Sequence, residues 1–287
     1  MTADVTTLDH IAVMVNDLTV AGTAYERLGF LLTPLSQHSG ALTAGGPVEQ
    51  WGIGNRCAML RRGYLELMGV LDPDLYDNRV GEFLSRYEGI HILAFGCDDA
   101  ASVADGLKGR GFEAAGVHAL ARPLDTPEGE RIAEFNLVRL PPEETPEGRV
   151  LAIQHLTPEF LWQARYLDHP NGAVALTGIV VCVEDIDDAV ARYSRYFGTH
   201  PSFANAQYVF ALQAGRFVLA GSEALQELYG VMPPTLPFAA CFTIAVEDID
   251  RTAALLERNG VSFSATGGHL VVSANEAQGA TVVFTPT

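Results

Sequence analysis

The stretch Leu8-Asp9-His10-Ile11-Ala12-Val13-Met14-Val15-Asn16-Asp17-Leu18 decides the fold, because three later stretches repeat its plan. Ile11, Val13 and Val15 alternate with His10, Ala12 and Met14, the period-two pattern of a strand with two different faces. Asp17 then stands where its carboxylate can accept first-turn N–H groups of a helix. Val20, Ala24 and Leu28 give that helix an apolar stripe, and Gly29 supplies the left-handed residue that ends it. The same order returns at Cys97-Asp98-Asp99-Ala100, Val183-Glu184-Asp185-Ile186 and Val246-Glu247-Asp248-Ile249, followed by Gly111, Gly198 and Gly260. More strands follow each helix, as at Arg56 to Leu60 and Tyr64 to Val70 across the tight Arg61-Arg62-Gly63 turn. The chain therefore reads as four βαβββ modules, and comparing copies separates fold-forming residues from candidates for function.

The rest of the composition sets bounds. A chain of 287 residues fits two domains of ordinary size. With 48% hydrophobic and 18% charged residues it is a folded globular protein. A formal charge of −17 repels phosphate backbones, which argues against nucleic acid as a partner. The start shows no basic region followed by an apolar run, and no apolar stretch approaches the roughly 20 residues that cross a bilayer. Cys57, Cys97, Cys182 and Cys241 form no CxxC pair, and three sit in predicted strands, so a reduced, cytoplasmic protein with no membrane partner is expected.

Pro141 to Gly148 reads as a polar hairpin loop, and Thr157-Pro158-Glu159 as the start of a helix over Phe160 to Tyr166. Asp168-His169-Pro170-Asn171-Gly172 is strong turn punctuation. These signals divide the chain into residues 1–157, a connector at 158–175, and residues 176–287. The loop from Gln37 to Gly54, glycine-rich and containing Trp51, shows no strand pattern and is expected to be a mobile flap. It lacks GxGxxG order, and no GxSxG occurs anywhere in the chain.

The repeated units, with Leu-Asp-His-Ile-Ala-Val opening the first and Tyr64-Leu65-Glu66-Leu67 closing it, resemble the vicinal oxygen chelate superfamily, which includes glyoxalases, bleomycin-resistance proteins and extradiol dioxygenases. Gln154 through Gly172 also resembles bacterial glyoxalase-like proteins. The resemblance implies an α+β fold in which the four modules pair into two cupped mixed β-sheet domains with helices on the outer faces. It implies metal ligands on the first and last strands of each module: His10, Glu66, His91 and Gln154, with His155 as the ligand instead if the last strand is shifted by one residue. Such a set suits one divalent ion (Fe, Mn, Co, Ni or Zn) and leaves positions open for substrate. Glu66 is then also the candidate catalytic base. Tyr64, Phe95, Phe135 and Asn136 are expected in or near the substrate pocket, and His38, His118, His200 and His269 at the surface or in turns.

Aligning the copies empties the second half, since Gly178 falls opposite His10 and Val218 opposite Glu66. The activity implied is that of an isomerase, lyase or epimerase acting on a small molecule that chelates the metal through vicinal oxygens. An Fe(II) extradiol dioxygenase and a metal-free binding protein of the bleomycin-resistance type are the alternatives. Four modules complete two cups in one chain, so either a monomer or a homodimer is consistent.

Overall fold

The computed structural model describes residues 5–41 and 47–287. Module one consists of β1 (Thr7–Met14), α1 (Leu18–Arg27), β2 (Ser36–Ala41), β3 (Val48–Met59) and β4 (Tyr64–Val70). A short α2 (Val80–Leu84) leads to module two: β5 (Gly89–Gly96), α3 (Ala100–Gly109), β6 (His118–Thr126), β7 (Gly129–Arg139) and β8 (Arg149–His155). The connector holds α4 (Pro158–Leu161) and a 3-10 turn at Ala164–Tyr166, shorter than the single helix expected there. Module three is β9 (Ala173–Cys182), α5 (Ile186–Phe197), β10 (Ser202–Ala204), β11 (Gln207–Ala211) and β12 (Arg216–Ala220), followed by α6 (Ser222–Tyr229). Module four is β13 (Phe238–Val246), α7 (Ile249–Arg258), β14 (Phe263–Thr266), β15 (His269–Val272) and β16 (Thr281–Pro286).

The repeated acids do the work their position suggests. Asp17 accepts from Thr19 N and Val20 N, Asp99 from Ala101 N and Ser102 N, Asp185 from Asp188 N, and Asp248 from Asp250 N and Arg251 N. Each caps orphan N–H groups that would otherwise be unsatisfied. Gly29, Gly111, Gly198 and Gly260 take φ of 85°, 85°, 67° and 65°, the left-handed region that ends a helix cleanly.

The first half orders its strands β2-β3-β4-β1-β5-β8-β7-β6, and the second β10-β11-β12-β9-β13-β16-β15-β14. The two meet edgewise where β13 pairs with β5 at Ala239 and Ile90. Both are mixed: β1 runs parallel to β4 and antiparallel to β5, and β9 repeats this with β12 and β13. The register also reproduces the copy alignment, since Val218 pairs with Val180 as Glu66 pairs with Ala12. The helix-side faces of both halves share one apolar core, with Tyr25, Phe95, Tyr193, Tyr196, Phe217 and Phe284 almost fully buried. Each such side chain stabilises the fold by about 2–3 kcal/mol. Buried Glu147 ties the halves together, accepting from both terminal nitrogens of Arg192 at 2.8 and 2.9 Å and from Tyr193 Oη at 3.1 Å.

The cup of the second half is filled. Ala224 and Leu225 of α6 pack with Val180, Val218, Ala240 and Cys241. The sequence pattern did not suggest α6, and its presence explains how the apolar part of this sheet face avoids water. The segment expected to be a flap is corrected too. Ser39 pairs with Gln50 and Gly40 with Glu49, so β2 and β3 form a hairpin. Trp51 Nε1 donates to Gly40 O and Gln37 Nε2 donates to Trp51 O, which fixes the indole against the hairpin. Residues 42–46 of the expected flap lie outside the described residues.

Candidate functional site

The concave face of the first half encloses a cavity of about 200 Å³. This is the liquid volume of roughly seven waters, room for a small molecule and not for a polymer. Alternating residues of its strands line it: His10 of β1, Tyr64, Glu66 and Met68 of β4, Ile92 of β5, Phe135, Leu137 and Arg139 of β7, and Arg149, Leu151 and Ile153 of β8. Two lateral rows of paired positions cross the floor, Tyr64–His10–Ala94–Leu151 and Glu66–Ala12–Ile92–Arg149. Ala12 and Ala94 keep the middle of the floor low. Among the residues expected at the pocket, His10, Glu66, Tyr64 and Phe135 are therefore on the cup.

His10 is held from two sides. Its ring stacks on Tyr64 with centroids 4.3 Å apart and planes 17° apart. Its Nδ1 lies 2.7 Å from Asp9 Oδ1. A carboxylate only accepts, so Nδ1 carries the proton and Nε2 is the nitrogen available to the cavity. Asp9 reaches this position because it is the extra residue of a β-bulge: Leu8 pairs with Phe95, His10 with Ala94, and nothing pairs with Asp9. His155 Nε2 donates to the same carboxylate at 3.1 and 3.2 Å. Burial would raise the Asp9 pKa, but the hydrogen bonds from His10 and His155 outweigh it and hold the acid down at about 2. Asp9 is thus a fixed anion between two imidazoles.

Glu66 is buried, and its Oε1 accepts from Asn55 Nδ2. His38, expected at the surface, is instead in the cavity wall with Nε2 3.9 Å from Glu66 Oε1, and burial lowers its pKa, favouring the neutral ring. Arg122, Arg139 and Arg149 add three guanidiniums to the lining.

Four expected placements are corrected. His91 is absent from the cavity lining: it is the extra residue of a second bulge, between the pairs Ala12–Ile92 and Val13–Ile90. Its ring stacks on Tyr87 at 4.0 Å, Nε2 donates to Tyr87 O at 2.8 Å, and burial lowers its pKa to about 4. Gln154 lies on the opposite face of β8, where Nε2 donates to Asp98 O at 2.7 Å and Oε1 accepts from Ala100 N at 3.3 Å. Asn136 joins Gln154 there at 3.3 Å. Phe95 packs into the helix-side core against Tyr196, Phe197 and Phe217. The residue of β8 on the side of His10 is His155, as a one-residue shift requires.

The donors carried over from the superfamily thus do not converge: His10 and Glu66 face the cup, while His91 Nε2 and the Gln154 amide bond to backbone groups away from it. Among the described residues no group of three or more His, Cys, Asp or Glu side chains is arranged to hold a metal ion. The present arrangement does not fit the ligand set the resemblance implied. A sequence signal for this existed. His10 stands seven residues before its capping Asp17 and His91 eight before Asp99, and an odd difference puts the two on opposite faces.

A family profile described as a glyoxalase-like domain matches residues 8–197. No functionally curated protein matches the chain by sequence. Among solved structures, a hypothetical protein from Staphylococcus aureus aligns at a TM-score of 0.65 and 12% identity, covering 98% of this chain and 99% of its own. A triple mutant of 4-hydroxymandelate synthase from Streptomyces coelicolor aligns at 0.57 and 15% identity, covering 100% and 93%. A xylose isomerase-like TIM barrel/4-hydroxyphenylpyruvate dioxygenase fusion protein aligns at 0.60 and 11% identity, covering 99% of this chain and 49% of the fusion. Likeness at these identities establishes a shared fold and no reaction.

Proposed function

The chain belongs to the glyoxalase-like domain family, and we propose that its first cup is the site of an isomerase- or lyase-type enzyme that moves a proton on a small oxygenated molecule. The observation that carries this reading is the 2.7 Å contact of Asp9 Oδ1 with His10 Nδ1 at the cavity wall. Asp9 fixes the tautomer and orientation of His10 and favours the imidazolium that forms when Nε2 takes a proton. The step is the removal of a proton from a carbon next to a carbonyl. The C–H electron pair moves into an enolate, the proton rests on Nε2, and its return to a neighbouring atom completes an isomerisation without any co-reactant. Glu66, on the adjacent strand, is a second carboxylate that can take or return a proton. The apolar wall of Met68, Ile92, Leu137, Leu151 and Ile153 limits water around the anion.

The dioxygenase domain of the fusion protein supports an oxygenase alternative by fold analogy alone. The test is deuterium wash-in: wild-type protein in D2O with a panel of small ketones, hydroxy ketones and 2-oxo acids, followed by NMR. Exchange with at least one compound, slowed about 10²-fold or more by His10→Asn, is the expected result. Exchange unaffected by that substitution, or no exchange above buffer, overturns the reading.

A further inference from the structure

The cup has a second polar end whose purpose the base does not explain. Arg139 and Arg149 stand on adjacent strands on the cavity face, and neither has a carboxylate within ion-pair distance among the described residues. Arg139 Nε is buried with no hydrogen-bond partner. Arg149 Nη2 donates to Asn78 O at 2.8 Å, and its guanidinium lies 5.6 Å from the centre of the Phe83 ring. Burial first, then the nearby Arg139 and Arg79, lowers the Arg149 pKa to about 10, and burial lowers that of Arg139. Two half-buried guanidiniums beside each other are unfavourable unless an anion joins them. In a chain of net charge −17 carboxylates are abundant, yet none fills this place.

The turn that supports the pair is itself unusual. Asn78 and Arg79 both take left-handed φ, 49° and 67°, and Asp77 holds them there by accepting from Arg79 N at 3.0 Å and Gly81 N at 2.9 Å. That geometry points the Asn78 carbonyl at Arg149. Strained backbone of this kind persists where surrounding contacts fix it, and it clusters at binding sites. The neighbouring arginines are already committed: Arg79 forks onto Glu82 at 2.7 Å, and Arg86 donates to Pro146 O and Pro237 O. Arg122 also lines the cup, with its guanidinium 5.9 Å from the centre of the Phe135 ring; Arg139 and Arg149 are the pair beside the Asn78 turn.

We propose that Arg139 and Arg149 bind the anionic headgroup, carboxylate or phosphate, of a small ligand whose apolar body lies over Ile92 and Leu151 toward His10. This rests on the proton-transfer reading of the same cup only for what happens at the far end; the binding itself does not require it. His10 and Arg149 are two strands and one row apart, roughly 12 Å between Cα atoms at ordinary strand spacings. Side chains reaching inward from both ends leave space for a ligand of aryl-acid size. A planar guanidinium pair matches a headgroup with two or three acceptor oxygens.

The test is calorimetric titration of wild-type protein with phenylacetate, phenyl phosphate and the neutral phenylacetamide. At least one anion binds roughly tenfold or more tightly than the amide, and the preference disappears in Arg139→Gln and Arg149→Gln but survives in Gln154→Ala. The stronger anion identifies the headgroup. Equal binding of the three probes, no anion binding at millimolar concentration, or a preference that survives both arginine substitutions overturns the proposal. Ligand-free Arg139→Met is expected to unfold at or above the wild-type temperature, since it relieves an unpaired charge. A fall of several degrees would make Arg139 structural and count against the site. Because binding is read without turnover, failure here is separable from failure of the deuterium exchange.

Discussion

Asp9→Asn tests the arrangement at the base of the cup with a magnitude the structure supplies. Burial alone would destabilise the Asp9 carboxylate; the hydrogen bonds from His10 and His155 reverse that and take its pKa from 3.8 to about 2. At about 1.4 kcal/mol per pH unit, the charged, hydrogen-bonded state stabilises the native protein by about 2 kcal/mol. The sign follows from the depressed value: the contribution is fully present above pH 3.8 and is lost as pH falls toward 2. Asn keeps the size of the side chain and removes the charge. Urea unfolding at a series of pH values is the assay. A loss of about 2 kcal/mol in the variant, constant from pH 7 to about 4.5 and shrinking below that, is expected. A variant within about 0.5 kcal/mol of wild type at pH 7, or a difference that grows as pH falls, refutes the account of Asp9 as a charge fixed by two imidazoles.

Other outcomes follow from residues off the cup. His91 titrates near 4 in the folded protein and near 6.5 when unfolded, so the unfolded chain takes up its proton first and wild-type stability falls with pH across that window. Between pH 7.5 and 5 wild type should lose about 2 kcal/mol relative to His91→Leu, measured by urea midpoints. Gln154→Ala removes contacts to Ala100 N and Asp98 O at the start of α3, costing about 1 kcal/mol with no change in ligand affinity by calorimetry. Glu147→Gln removes the buried, bidentate partner of half-buried Arg192 and leaves it only exposed Asp188 at 3.2 Å, so it should cost about 2 kcal/mol or more in denaturant unfolding.

Most of the fold was legible in the repeat. The capping acids and left-handed glycines have local causes, and local causes survive into structure. The resemblance puts His10 and Glu66 on the cup, and the alternation along their strands agrees; Tyr64 and Phe135 lie there as expected, whereas Phe95 and Asn136, expected with them, do not. Parity fails at bulges, where one extra residue reverses the face, and both His91 and Asp9 are bulge residues. The resemblance, not parity, puts His91 on the cup it does not reach, and it gives Asp9 no role. Arg139 and Arg149 were within reach of the same parity argument, since they share faces with Phe135 and Leu151. The superfamily's ligand types are His, Glu and Gln, so the resemblance gives arginine no role there. His38 is expected at the surface and lies in the cavity wall instead, because its glycine-rich hairpin carries no period-two pattern and the Trp51–Gly40 contact that organises it is tertiary.

The central claim is that Asp9 fixes His10 with its proton on Nδ1 and a free Nε2 toward the cavity. Long-range proton–nitrogen NMR correlation on 15N-histidine-labelled protein, with His10 assigned through His10→Asn, reads this directly. The account expects the Nδ1–H tautomer at neutral pH in wild type and its loss in Asp9→Asn. A His10 ring protonated on Nε2 in wild type, or a tautomer indifferent to Asp9→Asn, would contradict it.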